Sequence, residues 1–125
     1  MNQQTTHQTS IQINLELSKK LTHNPHFDTA FQQAVNAAFA TLGEPAQTVL
    51  FSCLERNFGV PQTGVSADPA AFAAAIEQIL GPVVARLVEA RIIHILHNKV
   101  PRFKYIAPGS ELFFLDYVEA LKGFL

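Results

Sequence analysis

Helix start and stop signals constrain this chain more than any other feature of its sequence. Asn24-Pro25, Asp68-Pro69 and Gly81-Pro82 each set a proline directly behind a capping or breaking residue, while Gly43 and Gly59 close apolar runs. Proline suits the first turn of a helix because its missing N–H would have no partner there. Glycine suits the end because it enters the left-handed conformation without a steric penalty. Between Pro25 and Gly43, Phe27, Phe31, Val35, Ala38, Phe39 and Leu42 recur at helical spacing, which predicts a first helix. Pro45 opens a second, with Val49, Leu50, Cys53, Leu54 and Phe58 on one face and Gly59 as the stop. Asp68 caps a third, which begins at Pro69 and carries Phe72, Ile76, Ile79 and Leu80.

Gly81-Pro82 breaks or kinks that helix, and a fourth is expected over residues 82–97. At about 100° per residue, Val84, Val88, Ile92 and Ile95 form its apolar centre, with Leu87 and Leu96 at the margins. Arg86, Ala90, His94 and His97 line the opposite side, and Arg91 falls just inside the apolar arc, where a guanidinium would need a carboxylate. Ser110 caps a last helix carrying Leu112, Leu115, Val118 and Leu121; a β-hairpin of residues 102–106 and 112–117 is the competing arrangement. Ile11, Ile13, Leu15 and Leu17 alternate with polar residues, as Phe103 and Tyr105 do with Arg102 and Lys104, so each stretch reads as a short amphipathic strand. The predicted fold is mainly α: a bundle of four to five helices with a short N-terminal strand and a short strand near residues 102–106. Residues 1–10 carry one apolar side chain and are expected to form a disordered arm, leaving residues 11–125 as a single helical domain.

Composition then bears on association. Only 15% of the residues are charged, while 48% are hydrophobic, and residues 57–85 contain no charge besides Asp68 and Glu77. Soluble domains average about 25% charged residues. A core of this size takes up fewer apolar side chains than the chain supplies, so part of the surplus is expected to be covered by another chain or a ligand. The net charge of −1 gives no overall attraction to nucleic acid or to an anionic membrane. Arg86, Glu89, Arg91 and His94 interrupt the longest apolar stretch, so no membrane span is expected. One cysteine forms no internal disulfide, and residues 1–10 look like neither a signal nor a transit peptide, which predicts a cytoplasmic protein.

Chemistry is sparse. His94 and His97, three residues apart on a helix, would hold a metal if a carboxylate or a third imidazole joined them, the basis for reading the chain as a metal-dependent enzyme. Solvated histidines near a helix C-terminus are the simpler explanation, and no carboxylate that would orient a ligating imidazole stands nearby in sequence. Cys53 sits mid-helix beside Leu50 and Leu54, as a small buried hydrophobe does. No catalytic spacing and no phosphate-cradling glycine loop is recognisable, so neither enzyme activity nor a cofactor nor a metal is expected. Arg86, Arg91, Lys99, Arg102 and Lys104 make the one basic stripe. They support a winged-helix DNA reader as the alternative, although the fourth helix presents Ala90 and Ile93 where a recognition helix needs polar side chains.

Leu42-Gly43, residues 49–55 (VLFSCLE), Phe58-Gly59-Val60, Asp68-Pro69 with Phe72, and Ile79-Leu80-Gly81 leading into Val88-Glu89 together resemble small all-α output domains attached to archaeal and bacterial signalling proteins. The likeness spans residues 42–97 and rests on caps, glycines and helix faces. It implies a non-enzymatic regulatory module and carries no active-site residues with it. The expected function is thus that of a regulatory or adaptor protein acting through homodimerisation and through binding a protein or a small apolar effector. Val84, Val88, Arg91, Ile92, Ile95, Phe103, Tyr105, Phe113, Phe114 and Tyr117 are the candidate interaction residues. Phe72, Ile76, Phe103 and Tyr105 are the expected lining of an effector pocket.

Overall fold

The computed structural model describes residues 24–107, 109 and 113–125. Helix α1 (Pro25–Ala40) begins where Asn24 accepts a hydrogen bond from the Phe27 N–H at 3.1 Å, which satisfies one of the unpaired donors of the first turn. The same side chain donates to the Lys122 carbonyl at 3.0 Å and so ties the start of α1 to the last helix. Helix α2 (Glu44–Phe58) ends at Gly59, whose left-handed φ of 67° lets the Val60 N–H return to the Leu54 carbonyl at 3.0 Å. A single 3₁₀ turn (Gln62–Gly64) leads to helix α3 (Pro69–Lys99), capped by Asp68 through the Ala71 N–H at 3.1 Å. Helix α4 (Phe114–Phe124) closes the chain.

Gly81 lies inside α3 at φ 83°, ψ 163°, a conformation that side chains forbid, and Pro82 follows without an N–H to donate. Together they break α3 into two arms, which are the third and fourth helices expected from the sequence, joined end to end at a kink. The bend lets α3 pack against α1, α2 and α4 in turn. Phenylalanines fill the space between: Phe31 meets Phe72 edge-on at 5.7 Å and Phe114 at 6.2 Å, while Phe39 packs on Phe51 at 4.9 Å and on Phe72 at 6.1 Å. Offset and edge-to-face rings at these separations interlock without voids. One hydrophobic cluster joins all four helices.

Several expectations change. Residues 103–107 have no regular structure and follow a turn at 101–102; no strand occurs among the described residues, so the strand near residues 102–106 is absent. The alternation there has another cause: Phe103 turns into the core, stacking edge-on with Tyr117 at 5.5 Å and lying 5.1 Å from Phe124, while Arg102 and Lys104 remain exposed. Helical residues 114–117 also remove the competing hairpin, and the wing of a winged helix with it. The N-terminal strand, the arm at residues 1–10, Ser110 and Leu112 lie outside the described residues. In the second arm of α3 the buried face is Ala85, Val88, Ile92 and Leu96, so Val84 and Ile95 stand at its margin and Arg91 is exposed. A helix that is apolar nearly all round does not fix its own phase; its neighbours do. On α2, Val49 and Phe58 are exposed, as is Leu42 before it.

Candidate functional site

The predicted interaction residues divide between two environments. Val88, Ile92, Phe103, Phe114 and Tyr117 are buried within this chain's own core, and Ile95 and Tyr105 are half-buried against it. Val84, Arg91 and Phe113 are exposed. Phe72 and Ile76 have no exposed surface, so they fill the core and do not line an effector pocket with Phe103 and Tyr105. Cys53 is half-buried and accepts a hydrogen bond from the Asn57 amide at 3.2 Å.

Clefts open on the surface of the described residues. The first, about 910 Å³, runs along α1 beside the 3₁₀ turn, and polar side chains at it bond within the chain: Ser66 donates to Asp28 at 2.8 Å and Gln32 to Asn36 at 3.1 Å. The second, about 670 Å³, lies in the angle of the α3 bend and is floored by alanines, with Phe113, Phe114 and Leu115 on the far side. Glu77 and Glu89 both line it. Burial, the Glu77 carboxylate and, in the opposite sense, the Arg86 guanidinium act on Glu89, and the net effect holds its carboxyl above the usual range.

The third cleft, about 420 Å³, lies between the second arm of α3, the irregular segment at 103–107 and α4. It brings His94, His97 and Ile93 together with Lys104, Tyr105 and Tyr117. The helical spacing of the two histidines set one wall, and the others arrive by tertiary packing that no local pattern announces. Asn98 stands 3.3 Å from His94 Nε2, one turn further along the same helix. Tyr117 is only 4% exposed and packs edge-on against Tyr105 at 5.7 Å. Its hydroxyl is buried and has no hydrogen-bond partner among the described residues, and burial pushes the phenol up from its ordinary range.

A metal would need more ligands than these: no group of three His, Cys, Asp or Glu side chains converges among the described residues. No described helix is long and apolar enough to cross a membrane. Three exposed aliphatic side chains stand elsewhere on α3, where Val83, Val84 and Leu87 are 73%, 41% and 66% exposed; Leu42, Val49 and Ile106 are exposed singly at other places. Leu87 lies four residues from Val83 and three from Val84, spacings that make helix neighbours, so these three make an apolar patch just past the bend. Comparison of the chain with known protein families, with curated proteins and with solved structures finds no match.

Proposed function

We propose that this chain is a non-enzymatic regulatory adaptor of the cytoplasm that works as a homodimer, joined through the aliphatic face at the start of the second arm of α3. The observation that carries this reading is the exposure of Val83, Val84 and Leu87 side by side, next to half-buried Leu80. Isolated surface aliphatics are ordinary, whereas a continuous patch left in water forgoes about 25 cal/mol for each Å² that a partner would cover. A second copy is the fitting occupant. Two-fold symmetry sets a patch against itself, and an uncharged patch meets its copy without like-charge repulsion. Arg91, exposed one turn beyond Leu87, supplies the polar rim that such interfaces carry. The likeness of residues 42–97 to signalling output domains agrees with a regulatory role, and the low charge of the whole chain agrees with a covered surface.

Sedimentation or light scattering tests this directly. Wild-type chains are expected at twice the 13.8 kDa subunit mass. Leu87→Glu is expected to keep its helicity, because Leu87 is outside the core, and to weaken the dimer about tenfold or more, a cost above about 1.4 kcal/mol for enclosing a charge. A wild type that stays monomeric over a wide concentration range overturns the reading, as does an unchanged Leu87→Glu dimer. Retention on duplex DNA that falls steeply with salt would instead establish the DNA-binding alternative.

A further inference from the structure

We propose that the cleft between the second arm of α3 and α4 is a binding site for a small monocarboxylic acid with a cyclic hydrocarbon body. Its volume of about 420 Å³ sits near the lower end of the range for small-molecule sites, about 300–1,000 Å³. The lining is divided chemically. Ile93 and the rings of Tyr105 and Tyr117 form an apolar wall sized for a ring. Lys104 supplies positive charge and, with the ring nitrogens of His94 and His97, hydrogen-bonding groups, and no acidic side chain lines the cleft among the described residues. That balance selects an anion and disfavours a cation.

The deciding feature is the Tyr117 hydroxyl. Buried polar groups in folded proteins nearly always find a partner, and this one has none among the described residues. A phenol O–H is a donor, and donating to a carboxylate gives the stronger, charge-assisted kind of hydrogen bond. Lys104 is exposed on the irregular segment and lines the same cleft, so a carboxylate seated there meets an ammonium, and it gains the phenol when the side chains that close the hydroxyl off from solvent give way. None of these side chains belongs to the face of Val83, Val84 and Leu87. Ligand binding therefore stands or falls apart from dimerisation.

The chain carries its own reporter, because it has two tyrosines and no tryptophan, and both tyrosines line this cleft. Cyclohexanecarboxylate, which is transparent where tyrosine absorbs, is the probe. It is expected to change tyrosine emission saturably, with cyclohexanecarboxamide bound about tenfold or more weakly, since the amide lacks the charge. In calorimetric titrations, Lys104→Met and Tyr117→Phe are each expected to lower affinity about tenfold, a change of about 1.4 kcal/mol. Tyr117→Phe is expected to melt no lower than wild type, because it removes an unpartnered hydroxyl and keeps the ring, which separates lost binding from lost folding. The proposal fails if the acid produces no saturable change, if acid and amide bind equally, or if both variants bind as wild type does.

Discussion

At the scale of single residues, the instructive groups are those whose surroundings oppose their chemistry. Glu89 is one. Burial and Glu77 favour its protonated form over the pull of Arg86, so the folded chain keeps this proton to a higher pH than the unfolded chain does. The stability contributed is therefore complete below the unfolded value, about 4.3, and is lost as pH rises through the folded one. Glu89→Gln, neutral throughout, should unfold in urea at the same midpoint as wild type near about pH 4 and at a higher midpoint near about pH 7. Solvent screening at this half-open position keeps the gain below about 1 kcal/mol. Parallel midpoints at both pH values would show that the carboxyl is not held up. His94 and His97 were legible as a pair from spacing alone. Tyr117 was legible only as one of several aromatics near the C-terminus, since its burial and its unpartnered hydroxyl arise from contacts far apart in sequence.

At the scale of elements, legibility follows the strength of local signals. Asn24, Gly59, Asp68 and the Gly81-Pro82 break act within one turn of their own position, and each marks a boundary or bend that α1, α2 and α3 have. The segment at 102–106 misled because alternation needs a neighbouring strand before it means anything. Here the alternating rings are drawn inward by Tyr117 and Phe124. The phase of the second α3 arm was equally unreadable, since Val83, Val84, Leu87, Val88, Ile92 and Leu96 surround the helix and only packing decides which of them face water. Gly81 yields a prediction at this scale. An added Cβ would meet nothing within 4 Å, so Gly81→Ala isolates the backbone conformation from crowding. Holding alanine at φ 83°, ψ 163° should cost about 1–3 kcal/mol, read as a lower urea midpoint. Unchanged stability would mean that the bend relaxes without loss.

At the scale of the whole molecule, Phe72 is where the helices meet: it is fully buried on α3 and touches Phe31 and Phe39 of α1, and Phe39 in turn packs on Phe51 of α2. Phe72→Ala should cost about 3–5 kcal/mol and lower the melting transition seen by helicity and by tyrosine emission together, since one cluster joins every helix. Separate transitions would show that α4 with Phe103 melts as its own unit. Much of the chain's apolar material fills this phenylalanine-rich interior, while exposed apolar side chains remain at Val83, Val84 and Leu87 past the bend and, apart from them, at Leu42, Val49, Phe58 and Ile106. That bend also sets the dimensions of the molecule. A straight helix of 31 residues would be a rod about 46 Å long, well beyond the roughly 30 Å breadth of a small domain. The break at Gly81 divides that length into two shorter arms, against which the neighbouring helices pack, and Val83, Val84 and Leu87 stay in water just beyond it.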